Sequence, residues 1–275
     1  MKEKTCSHGC VLRIDDPDDG RLAPYRDIRE KDLVGRQQSF IAEGKVVLNV
    51  LLSSSARFET RSLLVLENRL AGLAGQLRQL PDGVPVYSVP QTVMDAVAGF
   101  HVHRGILAVG HRKPQPDLRS MLNGLPAKSL IVVLCGISNH DNVGSIFRNA
   151  AAFEADCVLM DETCCDPLYR KATRVSVGAT LKVPYFRGGT IDEIIGAIGD
   201  AGFNLLALSP SSDLSIYRAD RHDRQALLLG TEGEGLPPRL LEKLQAARIP
   251  MSTEFDSLNV ATASGIALSH FSKFS

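Results

Sequence analysis

The chain has 275 residues, with 31 basic and 31 acidic side chains, no net formal charge, and hydrophobic residues at 44%. That length suits two modest domains, and the apolar share is that of a globular protein. Balanced charge excludes a global field that would gather nucleic acid, so any RNA binding must come from local patches and shape.

The first residues, with Lys2, Glu3, Lys4 and then Asp15 to Asp19, lack the apolar stretch of a signal peptide. No apolar run approaches the roughly 20 residues needed to span a bilayer, so the expectation is a cytoplasmic protein that does not engage a membrane. Cys6 and Cys10, with His8 between them, could form half of a metal site, but no second ligand pair with suitable spacing follows, and no metal is expected. Residues 1–36 read as a mobile polar extension, given the Asp/Pro/Gly-rich stretch Asp15 to Gly20. The six cysteines suggest reduced thiols: Cys135 and Cys157 lie in strand-like runs, and Cys164 and Cys165 are adjacent.

From Phe40 to Arg112 the pattern predicts a helix with Val46, Val47, Val50 and Leu51 on one face and a strand at Leu63 to Leu66. A helix from Arg69 to Leu80, a strand at Val84 to Ser88, a short helix after Pro90 and a strand at Ile106 to Val109 follow. Residues 37–113 thus read as a small α/β layer domain. Pro114, Pro116, Gly124 and Pro126 mark 114–128 as a linker.

The continuous apolar run Leu130 to Leu134 then opens a second α/β domain at 129–275, with a strand buried on both faces. Further strands are expected at Cys157 to Met160, Val183 to Phe186, Asn204 to Leu208, Ala226 to Leu229 and Arg248 to Pro250. Intervening helices imply a mostly parallel sheet, whose ligands sit outside the carboxyl ends of the strands.

Three segments follow strands and belong on that rim. In the first, the polar run Ser138 to Asn142 enters a helix, Asn142 is a plausible N-cap, and Arg148 lies under two turns further on. In the second, Gly230-Thr231-Glu232-Gly233-Glu234-Gly235 is a glycine-rich loop that lacks a P-loop Lys-Ser or Lys-Thr pair and the dinucleotide fingerprint. Its two carboxylates would repel a pyrophosphate while tolerating a cationic ligand. In the third, Ile249-Pro250-Met251 leads to Ser257-Leu258-Asn259-Val260 and a helix of small residues, which Ser257 could cap. Singly these are a capped helix, a tight turn and a close-packing helix.

In combination and in this order, the three segments resemble the motifs of the SpoU, or TrmH-like, branch of the SPOUT RNA methyltransferases. Those motifs are Asn-x-Gly with a following Arg, Gly-x-Glu-Gly-x-Gly, and Ile-Pro-Met followed by Ser-Leu-Asn-Val. Phe40-Ile41-Ala42-Glu43-Gly44 and His103-Arg104-Gly105-Ile106-Leu107-Ala108-Val109 also look like the opening and closing of the substrate-binding domain many members carry, a relative of small ribosomal RNA-binding proteins. Arg57, Arg61, Arg104, His111, Arg112 and Lys113 give that half local positive charge.

The resemblance implies a SPOUT-type parallel sheet with a C-terminal trefoil knot, a homodimer, and methyl transfer from S-adenosyl-L-methionine to a ribose 2′-hydroxyl of RNA. Ribosomal RNA is favoured over transfer RNA by the accessory domain. Carried over by position, the donor would rest on backbone around Leu208, Gly230, Ile249, Met251 and Leu258. The reacting hydroxyl would lie near Arg148, with Asn142, Glu232, Ser257 and Asn259 arranging the reactants. A guanidinium stays protonated, so Arg148 fits a stabiliser of negative charge better than a base. The competing expectations are an RNA-binding protein of the same fold without catalysis, and a nucleotide-dependent enzyme using the glycine-rich rim.

Overall fold

Two sheets organise the chain, seen in a computed structural model that describes residues 11–26, 28, 38–252, 254 and 256–274. One unit comprises Met1–Lys113 with Leu168–Lys182, the other Pro114–Pro167 with Val183–Ser275. The Cys6, His8 and Cys10 cluster lies outside the described residues.

The first unit is built on strands β1 (Val11–Arg13), β2 (Ser39–Glu43), β3 (Glu59–Leu66), β4 (Val86–Val89) and β5 (Ile106–His111) in the order β1-β4-β3-β5-β2. β4 pairs in parallel with β1 and β3, while β5 runs antiparallel to β2 and β3. Helix α1 (Lys45–Leu51) follows β2, and α2 (Gln91–Ala98) follows Pro90, burying Val93, Met94, Val97 and Ala98 before stopping at Gly99 in the left-handed conformation.

Three expectations fail in this unit for identifiable reasons. Helix α1 buries Val47, Leu48 and Leu51 but leaves Val46 51% exposed. Its run of apolar residues fits several faces, and packing selects one. The continuous helix expected from Arg69 to Leu80 is a 3-10 segment, Glu67–Leu73, followed by a single helical turn, Ala74–Leu77. Gly72 and Gly75 lower helix propensity at that junction. Residues 11–26 are no loose extension: β1 joins the sheet, and a 3-10 turn, Gly20–Tyr25, buries Leu22 and Tyr25 completely. The Tyr25 hydroxyl lies 2.7 Å from Ser62 Oγ. Acidic residues between these apolar anchors, with Asp19 capping the turn, give the segment its polar composition.

Leu168–Lys182 completes the same unit with two short helices, Arg170–Val175 and Ala179–Lys182. Arg170 pairs through Nη1 with the buried Glu43 carboxylate and stacks 4.7 Å over the Phe100 ring, while Arg174 lies 3.8 Å from the same carboxylate.

The second unit has six strands: β6 (Ser129–Leu134), β7 (Cys157–Met160), β8 (Tyr185–Arg187), β9 (Asn204–Leu208), β10 (Arg224–Leu229) and β11 (Ala246–Ala247). Their order is β11-β9-β10-β6-β7-β8 and every pairing is parallel. β6 and β7 are buried throughout, as continuous apolar strands of a covered parallel sheet should be. The expected linker contains helix α3 (Leu118–Asn123), capped by the Asp117 side chain, with Leu122 buried. Pro114 and Pro116 precede that helix and Gly124 ends it, so the residues that suggested a linker bracket an element. The last strand also differs: Pro250 has no N–H for a ladder, and beyond Ala247 only Arg248 forms a bridge, to Ser215. Helices α4 (His140–Ala152), α5 (Ile191–Asp200) and α6 (Val260–Phe271) flank the sheet.

Candidate active site

A cavity of about 370 Å³ opens at the carboxyl ends of β9, β10 and β11, in the size range of small-molecule sites. Strand-end residues Leu208, Leu229 and Ala247 give it an apolar wall, extended by Ile249, Met251, Leu258 and Val260. Ser209, Thr231, Glu232, Ser257 and Asn259 add polar groups.

The β10 loop is shaped by its glycines. A Cβ on Gly230 would lie 2.5 Å from the Gly235 carbonyl carbon, and Gly233 and Gly235 have φ of +86° and +71°. Thr231 donates from its N–H (3.3 Å) and its hydroxyl (3.2 Å) to the Gly235 carbonyl, which closes the loop on itself. Its methyl packs toward Gly136, where a Cβ would come within 3.1 Å.

Asn259 links the segments. Its Oδ1 accepts from Ala261 N (2.9 Å) and Thr262 N (3.2 Å), capping α6, while its Nδ2 donates to Asn142 Oδ1 at 3.0 Å and to the Glu232 carboxylate. One amide therefore ties the first turn of α4 to the glycine-rich loop and to the start of α6. A second latch lies further along α4, where Asn149 Nδ2 donates to the Ala261 carbonyl (2.7 Å) and to Ser264 Oγ (2.8 Å). Gly265 leaves room for it, since a Cβ there would lie 3.2 Å from Asn149 Nδ2.

Two cap assignments need correction. Asn139, not Asn142, caps α4, accepting from Asp141 N at 2.8 Å, and Asn142 is a buried first-turn residue turned toward Asn259. Asn259, not Ser257, caps α6, and Ser257 lines the cavity instead. Leu208, Gly230, Glu232, Ile249, Met251, Ser257, Leu258 and Asn259 all border the cavity, Asn142 joins them through Asn259, and Arg148 is exposed on α4 without lining it.

Sequence reasoning missed Ser209, Thr231, Asn149 and Asp161. Asp161 is buried after β7. Its Oδ2 accepts from Gly136 N (2.9 Å), and its Oδ1 from Thr163 N (3.0 Å), Thr163 Oγ1 (2.6 Å) and Cys164 N (3.0 Å). It thereby fixes the turn that leads from β6 into the first segment, and Asp-x-Thr just past a strand is its sequence signal. Burial pushes the Cys135 thiol up to about 11, with Asp161 adding to the rise, and Cys165 up to about 12, with Asp166 adding, so neither is a poised nucleophile. The described cysteines are free.

The sequence model of the SpoU rRNA methylase family matches residues 129–269, the span that holds this cavity and all three segments. The chain belongs to that family. Among its relatives, an uncharacterised tRNA/rRNA methyltransferase of Mycobacterium bovis is 41% identical over 266 residues, covering 94% of this chain and 90% of the relative. The fold is shared with an AdoMet-bound rRNA methyltransferase from Sinorhizobium meliloti (TM-score 0.78, 23% identity, 94% of this chain and 97% of that one). It is likewise shared with an RNA 2′-O ribose methyltransferase (TM-score 0.77, 24% identity, 94% and 97%). Among the described residues of this SpoU family member, no helix is long and apolar enough to cross a membrane.

Proposed function

We propose that this SpoU family protein transfers a methyl group from S-adenosyl-L-methionine to a ribose 2′-hydroxyl of structured RNA, ribosomal RNA being favoured over transfer RNA. The observation that carries the reading is the Asn259 amide, which joins Asn142 and Glu232 beside an apolar cavity cradled by Gly230. The residues present fit the donor. The cavity couples apolar walls to a few convergent polar groups, a side chain at Gly230 would collide with the Gly235 backbone and force the bordering loop open, and Glu232 suits a cationic ligand better than a phosphate. Leu208, Gly230, Ile249, Met251 and Leu258 would hold it. Bound there, S-adenosyl-L-methionine supplies an electrophilic sulfonium methyl.

The protein's part is then positioning. Two bound reactants held in line gain most of their rate from orientation, which suits loops closed by Asp161, Thr231 and Asn259. Exposed Arg148 is free of the cavity wall and available to RNA, where a permanent guanidinium grips a phosphate and stabilises a developing alkoxide while the proton leaves to a neighbour or water. The reading includes a homodimer, a cytoplasmic location and a knotted path for the chain after β11, the last supported by the SPOUT family resemblance.

Titration calorimetry with S-adenosyl-L-methionine, NAD and ATP, followed by transfer of labelled methyl to cellular RNA, tests it. Donor binding without competition by NAD or ATP is expected, with label recovered in 2′-O-methylated nucleotides. In Arg148→Ala, donor affinity should hold while transfer falls about a hundredfold or more. Unchanged transfer would remove Arg148 from the mechanism, and donor binding with no transfer to any RNA would favour the non-catalytic alternative.

A further inference from the structure

Helix α4 carries two asparagines on one face. Asn142 and Asn149 are seven residues apart, about two turns, so their side chains leave the helix in nearly the same direction. Both are bonded to the start of α6. Asn142 Oδ1 accepts from the Asn259 amide at 3.0 Å, and Asn149 Nδ2 donates to the Ala261 carbonyl (2.7 Å) and to Ser264 Oγ (2.8 Å). The buried Ser264 hydroxyl donates to that same Ala261 carbonyl at 2.7 Å, which leaves its lone pairs for Asn149.

Two pins two turns apart do what apolar packing cannot. Val143, Ile146, Phe147 and Ala150 bury the helix, but apolar contact is non-directional and tolerates a small roll about the helix axis. Hydrogen bonds weaken steeply as they bend, so the second pin fixes roll and axial register together. Helix α6 is shaped to receive it: Ser264 supplies an acceptor, and Gly265 supplies the space that a Cβ would take 3.2 Å from Asn149 Nδ2.

Arg148, the residue before Asn149, is exposed and has no hydrogen-bond or ion-pair partner among the described residues. Nothing in its own surroundings aims it, so the roll of α4 does. Its guanidinium reaches roughly 9 Å from the helix axis, where a roll of about 10° moves it about 1.5 Å. A misplacement of about 1 Å is enough to cost a reaction about a hundredfold. We propose that Asn149 is a positioning residue that acts on methyl transfer through Arg148, by locking the roll of α4 against Ala261 and Ser264. The proposal rests on the methyl-transfer reading above and adds the residue that aims its guanidinium.

A double-mutant cycle on the full chain tests it, with wild type, Arg148→Ala, Asn149→Leu and the double variant. Leucine keeps the branched shape of asparagine without its donor and without a charge. Asn149→Leu should lower kcat about tenfold while donor affinity and thermal midpoint stay near wild type, because the Asn142 pin and the α6 cap remain. In the Arg148→Ala background the same substitution should cost nothing further. A residue that served only the fold would lower the double variant another tenfold, since independent losses multiply. That result, or wild-type kcat in Asn149→Leu, would overturn the proposal. Ser264→Ala, which removes one of the two acceptors, should cost about threefold and nothing beyond Arg148→Ala, and its cycle decides if Asn149→Leu folds poorly. RNA affinity across a salt series on the same proteins needs no turnover. Arg148→Ala should flatten its slope by about 0.7 to 0.9, the worth of one phosphate, Asn149→Leu by part of that, and the double variant by no more than Arg148→Ala. A wild type that binds RNA but transfers no methyl removes the catalytic reading, and the slopes then decide, a wild-type slope in Asn149→Leu counting against the proposal. Arg148→Ala with wild-type transfer and slope, or no RNA binding by any of the proteins, would overturn both.

Discussion

Asn259 acts in three directions at once, and its substitutions separate those roles. Asn259→Ala removes the α6 cap, worth about 1 kcal/mol, and strands the buried Asn142 carbonyl oxygen. A lower thermal midpoint and donor binding weaker by at least about tenfold are expected, read by melting and calorimetry. Asn259→Asp keeps the cap oxygen but sets a carboxylate against Glu232. Stability should recover part of the way while donor affinity does not, and equal recovery of both would show that the amide only caps. At this scale the sequence was legible in residue types and less so in their duties. Asn139 and Asn142 are both good caps three residues apart, as are Ser257 and Asn259 two apart, and local propensity cannot rank such neighbours. Long-range partners decided: Asn142 faces Asn259 across 117 residues.

At the scale of elements, the glycine-rich loop is the sharpest case. In Gly230→Ala the new methyl would sit 2.5 Å from the Gly235 backbone, which has no side chain to swing aside. The loop must open, so the cavity should lose donor binding in calorimetry while far-ultraviolet dichroism stays near wild type, because β10 itself ends at Leu229. Intact donor binding would mean that the loop tolerates more than its geometry allows. Most strands of the second unit were legible, whereas β1 and β2 went unread. Cys157–Met160 and Asn204–Leu208 match expectation to the residue, since short, mostly apolar runs of this length leave little choice. Helices were read less well where glycine and proline carried two meanings, as at α3, where the same prolines that suggest a linker introduce a helix.

For the whole molecule, the boundary near Lys113 does not cut the chain into two self-sufficient pieces. Glu43 is buried in the first sheet, and its partner Arg170 comes from a segment that follows β7 in sequence. Residues 1–113 produced alone would bury that carboxylate without its guanidinium, a loss of about 3–5 kcal/mol when one member of a buried pair is removed. Such a fragment should unfold at lower urea than its Glu43→Gln version, and the opposite order would show that water or another group compensates Glu43. Composition gave no hint of this arrangement, because the pair is formed by residues 127 positions apart. The location of the cavity also sets a timetable. All the residues lining it lie between Leu208 and Ala263, whereas the first unit is complete at Lys182. A ribosome releases the chain from its N-terminal end. Each new molecule therefore completes its first unit before the cavity can close, and a nascent chain stalled in its last quarter would carry a finished first unit and an open-ended second one.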